Sequence, residues 1–399
     1  MSTYPRNIGA LLLYGSMVLS CEQFEPAAPI EEAVLDGPLK GLTTAELKQF
    51  NRGDKAFNEE LFHSGNGLGP LFVANSCVSC HAGDGKGTPS TTLTRFGQMD
   101  AGGNTFLHLG GPQLQNRALP GYIPETLPEG ATFSQLTPMA VTGLGFLQYV
   151  TDADILSRAD PEDLDEDGIS GVPNWGPLEE YLIPPPHAIA ENGMYIHRFG
   201  KKASIYDLLE QTVKAYNQDI GITSTFEPMD TYSGLSIDPE ISDSTIRDVV
   251  FYLETLKAPI PRDQHDAAVQ NGKIIFMQIQ CASCHLPEMR TGPAPIEALS
   301  YKTFHPYTDL LLHDMGPGLD DGYTEGSALT AEWRTPALWG LGLSPKSQGG
   351  KYHLMHNGRA GTIGEAILLH GGEAQNSRNL YVDLDPSEKA DLIKFLESL

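Results

Sequence analysis

The sequence predicts a mainly α-helical chain of two units built on one plan, the first enlarged by a long irregular insertion. Three observations carry this. The pattern C-x-x-C-H occurs twice, as Cys77-Val-Ser-Cys80-His81 and Cys281-Ala-Ser-Cys284-His285. A helical pattern stands before each copy. Each unit then ends on a nearly identical amphipathic segment, DVVFYLETL at 248–256 and DLIKFLESL at 391–399. A length of 399 residues accommodates two such domains.

C-x-x-C-H is the attachment pattern of a c-type haem. Two residues between the cysteines let one helical turn present both sulfurs to the vinyl edge of a porphyrin. The adjacent histidine then reaches the iron as proximal ligand. Half a zinc site, a redox dithiol and a structural cysteine pair are the competing readings. Zinc sites more often lack the adjacent histidine, and a thioredoxin-like dithiol needs a βαβ context that is absent here. The sequence therefore predicts two cytochrome c-like haem domains with two haem c groups, held by Cys77, Cys80, His81, Cys281, Cys284 and His285.

The first 20 residues read as a lipoprotein signal peptide. Arg6 is a short basic start, residues 8–20 are apolar but too short to span a bilayer, and Val18-Leu19-Ser20-Cys21 resembles a bacterial lipobox. Cys21 is the expected lipidation site. Cleavage a few residues later is the alternative. Residues 21–41 are acidic and Pro-rich without periodicity, as expected of a flexible tether. All five cysteines then have a use, one for lipid and four for haem, with none left as nucleophile or redox thiol.

The first haem unit is expected over 42–260. A helix begins near Thr43 or Thr44 and carries Leu47, Phe50, Phe57 and Leu61 at helical spacing. Residues 82–190 are rich in Gly, Pro, Thr and Asp, as in an elaborated insertion. Within it, Asp163, Asp165 and Asp167 alternate before Gly168, as oxygen ligands do at the start of a calcium loop. The twelfth position is Asn174 rather than a bidentate Glu, so a solvated acidic turn is the other reading. Helices are expected over 201–219 and 241–257, the second stopped by Pro259 and Pro261. The second unit, 261–399, opens with a helix over 264–278.

Formal charge is −25. Such a surface repels nucleic-acid phosphates and favours cationic or neutral partners. The expected partners are a small redox donor protein or a quinone-linked donor, together with a small-molecule oxidant or reductant. The expected place is the periplasm, with a lipid anchor as the sole membrane attachment.

Several stretches in chain order resemble one family. They include GLGPLFVANSCVSCHAGDGKG (67–87), RFGKKA (198–203), DIGITS (219–224), HDMGPGLDDG (313–322), EWRTPALWGLGL (332–343) and HNGRAGTIGEAILLHGGEA (356–374). This order resembles the bacterial di-haem oxidoreductases related to di-haem cytochrome c peroxidase, and within them the family labelled "predicted thiol oxidoreductase". The resemblance implies a mostly helical, two-haem periplasmic protein. The thiol label conflicts with a chain in which no cysteine stays free.

The resemblance also implies ligands. In the related peroxidases the sixth ligand of the second haem follows a His-Asp-Gly-like turn and precedes a glycine. Here that turn is His356-Asn357-Gly358, and the matching residue is His370, before Gly371. His370 would replace the usual methionine and lower the reduction potential. Met355 is the competing ligand, and a C-terminal cap of the helix over 362–369 is the non-ligating role. For the first haem, His108, Met99, Met139, His187, His197 and an open iron all stand as distal possibilities. Arg334 resembles the arginine that pairs with a haem propionate, against a surface pair with Glu332. Arg95 and Arg198 are weaker candidates for that role. Trp175, Trp333 and Trp339 could relay electrons or simply pack. His313 and Met315 are expected near the second haem without ligating it.

The expected function is an exported di-haem oxidoreductase acting on hydrogen peroxide or another small substrate. A non-catalytic electron-transfer protein and a surface redox-sensing or binding protein are the alternatives.

Overall fold

The computed structural model describes residues 29–97, 99–100, 103–109 and 111–399. Cys21 and the expected signal segment lie outside them. Four helices frame the molecule: Thr44–Asn58, Asp243–Thr255, Ala267–Gln278 and Pro386–Ser398. The first packs on the second and the third on the fourth. Each has the start its sequence announces. Thr43 and Glu46 form a reciprocal capping box, as do Asp385 and Glu388. Ser242 and Asp266 cap the other two through their side-chain oxygens.

The repeat extends to the packing. Both helix pairs cross at a glycine. A Cβ on Gly53 would lie 2.0 Å from the Asp248 carbonyl oxygen and 2.6 Å from the Tyr252 Cβ. A Cβ on Gly272 would lie 2.1 Å from the Asp391 carbonyl oxygen and 2.7 Å from the Phe395 Cβ. Asp248 and Tyr252 occupy the same places in their helix as Asp391 and Phe395 do in theirs. One turn beyond each glycine an aromatic ring meets its partner, Phe57 with Tyr252 at 5.4 Å and Phe276 with Phe395 at 5.5 Å. Gly272→Ala is expected to force this crossing apart and to lower stability by about 1–3 kcal/mol, as overpacked interiors do. Denaturant unfolding of the variant checks this, and an unchanged midpoint would contradict it.

Helix is the largest regular class, yet "mainly α" describes the frame better than the whole chain. Between the framing helices the described residues form loops and short antiparallel ribbons. Leu93–Phe96 pairs with Phe133–Leu136, and Leu312–Asp314 pairs with Glu332–Arg334 in a register that sets His313 opposite Trp333. Asn174–Gly176, Met194–His197 and Ala190–Glu191 form a three-stranded sheet with Met194–His197 in the middle. The helix expected over 201–219 starts later, at Leu208. Phe199 and Ile205 bridge across a turn through Gly200, and Asp207 caps the helix by accepting from Glu210 N. Its last turn widens into a π-helix over Ala215–Ile220.

The largest buried cluster joins Phe50, Phe57, Val249 and Tyr252 of the first half to Met289, Leu299, Phe304 and Leu311 of the second. A second cluster, with Phe276, Tyr307, Leu392 and Phe395, belongs to the second helix pair. Residues from before and after position 260 thus share one buried cluster. Among the described residues no helix is long and apolar enough to cross a membrane.

Candidate haem-binding cavity

Both C-x-x-C-H motifs open into one continuous cavity. It encloses about 3420 Å³ of space free of protein atoms, open solvent included. Cys77, Cys80 and His81 line it from the first half, and Cys281, Cys284, His285 and His370 from the second. Each motif is a single tight turn. His81 N donates to Cys77 O at 3.0 Å and His285 N to Cys281 O at 2.9 Å. Two pairs of buried thiols lining an apolar cavity have no anionic role of their own. Burial pushes Cys77 and Cys281 up to about 12, so these are not thiolate nucleophiles.

The histidines are prepared as ligands. His81 Nδ1 donates to the Met139 carbonyl at 2.8 Å, and His285 Nδ1 to the Tyr307 carbonyl at 3.0 Å. Such a bond fixes the neutral tautomer and leaves Nε2 free. Burial lowers both rings to about 4, so each is neutral at physiological pH. His370 has the same arrangement, its Nδ1 donating to Ala366 O at 2.8 Å, with its pKa also lowered by burial. His370 follows the short helix Ile363–Leu368, capped by Thr362. It stands close enough to His285 that a charge on it would disfavour protonation there. The donor set fits a group bound through two sulfurs and one or two imidazoles.

The remaining histidines are placed differently. His108 sits exposed on the turn Leu107–Leu109, His187 is exposed, and His197 packs on Gly176. None of these three lines the cavity. Nothing is described of the Met99 side chain. Met139 lines the cavity, and its backbone oxygen holds His81. Met355 lines it too. His356 stacks flat on Trp333, ring centres 3.9 Å apart, and burial lowers it to about 3. Trp333 and Trp339 line the cavity, whereas Trp175 does not.

His313 is held from both sides. Its Nε2 donates to Asp309 Oδ2 at 2.8 Å and its Nδ1 to Glu373 Oε2 at 2.6 Å. Two donated protons require an imidazolium, and its pKa lies well above the usual value despite burial. In this arrangement both nitrogens are engaged as donors. Its Nδ1 lies 3.7 Å from Cys284 Sγ, which locates it beside the second motif.

Arg334 is buried in the strand Glu332–Arg334. Its guanidinium donates to Gly200 O at 2.9 Å, Thr335 O at 3.2 Å and Met139 Sδ at 3.4 Å. Among the described residues it has no carboxylate in ion-pair reach, and Glu332 instead accepts from Leu329 N. Arg95 pairs with Glu325 and Arg198 with Asp152, so both have protein partners. Asp219, from the π-helical turn, lines the cavity near Cys77 and Cys80, and burial raises it to about 7. Sequence reasoning missed Asp219, although DIGITS carried the only acid of that segment. It also passed over Lys86 and Lys201.

The acidic loop gathers Asp160, Asp163 and Asp165, with carboxylate atoms within 4.8 Å of one another. Asp160 was not foreseen. Asp167 stands outside the group, its carboxylate accepting from Ile169 N at 2.8 Å.

Two C-x-x-C-H motifs lining one largely apolar cavity fit a di-haem redox protein. Residues 130–399 match the family described as "Di-haem oxidoreductase, putative peroxidase", and the chain belongs to that family. The match begins after the first motif, so it covers only the second C-x-x-C-H. No curated protein matches the chain. Among solved structures it is similar to the diheme peroxidase BthA from Burkholderia thailandensis, at 15% identity over 88% of this chain and 86% of that one, TM-score 0.42. It is similar to the Kuenenia stuttgartiensis hydrazine synthase, at 16% identity over all of both chains, TM-score 0.39. A MauG-like protein associated with microbial copper homeostasis shares 18% identity over 71% of this chain and 94% of that one, TM-score 0.32.

Proposed function

We propose that the chain is an exported oxidoreductase with two covalently bound c-type haems that reduces a small oxidant such as hydrogen peroxide. The observation that carries this is the single cavity reaching both motifs, with a free imidazole set for each. Haem supplies one-electron chemistry and, where its sixth position is open, a place for a small oxidant. The chain's own residues divide the work. His285 and His370, both lining the cavity and electrostatically close, would together hold the group at the second motif and suit it to electron relay. His81 holds the first from one side. With His108, His187 and His197 off the cavity and the Met139 sulfur accepting from Arg334 Nη2, this reading leaves a position at the first site for substrate.

Reducing hydrogen peroxide to two waters takes two protons and two electrons, so a proton source beside the first site is needed. Asp219 is the acid so placed. A carboxyl held near 7 is half protonated at neutral pH and can give its proton at Oδ. Wild type is expected to lose peroxide turnover as pH rises through about 7, and Asp219→Asn to lower turnover and remove that dependence. A pH–rate profile identical to wild type would remove Asp219 from this role.

Electronic absorption and electron paramagnetic resonance test the whole reading. One low-spin and one high-spin ferric haem, the latter reacting with peroxide, are expected. Two low-spin haems inert to peroxide would instead support an electron-transfer protein without turnover. The same reading places the donor, a small redox protein or quinone-linked partner, outside the cell membrane, with the chain tethered through Cys21. Replacing Cys21 should then release it from the membrane fraction. Calcium is proposed at Asp160, Asp163 and Asp165, where three carboxylates supply part of the six to eight oxygens that Ca²⁺ takes. A rise in melting temperature on adding calcium, reversed by chelator, would assign it.

A further inference from the structure

Six lysines and arginines line the cavity: Lys86, Arg95, Lys201, Lys214, Arg334 and Arg378. Arg95 pairs with Glu325, and Lys214 pairs with Glu179 and Glu210. Lys86, Lys201 and Arg334 form a group of their own. Among the described residues no carboxylate lies within ion-pair distance of any of them. Asp309 attracts Arg334 only from farther off. Lys86 and Arg334 both repel Lys201, so the three charges share one neighbourhood. Burial and this repulsion hold Lys201 down at about 7, and burial holds Lys86 at about 8.

Like charges gathered in an enclosed space are costly without counter-ions, and a guanidinium does not escape by losing its proton. The backbone nevertheless fixes them together. Arg334 N donates to Lys201 O, and Arg334 Nε to Gly200 O, both at 2.9 Å. The position joins the two sites. Arg334 Nη2 contacts Met139, whose carbonyl holds His81. Its strand pairs with the one bearing His313, which touches Cys284. Lys86 follows His81 by one short loop.

We propose that Lys86, Lys201 and Arg334 form a single carboxylate cradle at the junction of the two halves, taking propionates from both haems and coupling their reduction potentials. This rests on the two-haem character of the family, and it extends the role expected of Arg334 to two lysines that the function does not otherwise use. A cation beside a haem favours the reduced state, which carries one positive charge fewer. Removing it therefore lowers the potential.

The test is a spectroelectrochemical titration of the full-length, haem-loaded protein carrying Lys201→Gln. Expected are two haems per chain and both midpoints lowered. Each reduction equilibrium should become roughly tenfold less favourable, about 59 mV for one electron. Lys201→Arg should restore both midpoints. Full haem content with neither midpoint moved, or with only one moved, would overturn the shared cradle. If Lys201→Gln does not load haem, Lys86→Gln decides on the same measurement. Inorganic phosphate added to wild type should leave the haem spectrum unchanged, because propionates already occupy the cations. A phosphate-induced shift that Lys201→Gln abolishes would assign the cluster to a diffusible anion and overturn the proposal. Peroxide turnover enters none of these readouts, so failure of the peroxidase reading is seen separately.

Discussion

His370→Ala is expected to convert the second haem from six-coordinate low-spin to a high-spin or weakly ligated state, with the first haem unchanged. The warrant is geometric. His370 Nδ1 is tied to Ala366 O at 2.8 Å, so the ring cannot turn away and its Nε2 is the free nitrogen. A neutral imidazole donates strongly to ferric iron, so its loss should also raise the reduction potential of that haem. His370→Met provides the sharper comparison. It should retain a low-spin spectrum while raising the potential, because a thioether favours the ferrous state. Absorption and magnetic resonance spectra of the three proteins check this. If His370→Ala is spectroscopically identical to wild type, the bis-histidine site is wrong, and Met355, which also lines the cavity, becomes the ligand to test.

The second large effect concerns stability. His313→Ala is expected to destabilise the fold by about 3–5 kcal/mol, the usual cost of stripping one partner from a buried ionic group. Asp309 and Glu373 would be left facing each other, with Asp309 buried. The loss should spread beyond the second motif. Glu373 also accepts from Ser170 Oγ at 2.6 Å and from Asp314 N at 3.0 Å, tying the end of the acidic loop to the ribbon Leu312–Asp314. The sign of the pH dependence follows from both partners. His313 has a raised pKa, so its contribution is full below the ordinary histidine value and is lost as pH rises through the folded value. Glu373 has a lowered pKa, so its contribution is present above the ordinary glutamate value and is lost as pH falls through the folded one. The triad therefore stabilises across the window between them. Thermal unfolding of wild type and variant across this window measures it. A His313→Ala protein that melts with wild type near neutral pH would contradict it.

Much of this molecule follows from local chemistry in the chain. The two C-x-x-C-H turns, their count against five cysteines and the helix starts at Thr43, Ser242 and Asp385 are short-range features. So is the repeat of the terminal segments. Such features are legible because neighbouring residues alone determine them. The helix expected from Lys201 failed for the converse reason. Its periodicity is genuine, but the bridge between Phe199 and Ile205 and the cap at Asp207 hold the first turn open.

The site divides the same way. By itself the sequence determined the spacing of each cysteine pair and which histidine lies next to it, since chain connectivity sets both. Only the tertiary structure decided that both motifs face one cavity, that His370 comes near His285 while His108 stays on the surface, and that Asp167 turns from the acidic group while Asp160 joins it. It alone set Lys86, Lys201 and Arg334 together, and Asp219 beside the first motif. Charge, burial and access depend on residues more than a hundred positions apart in the chain. No periodicity records which of them will meet.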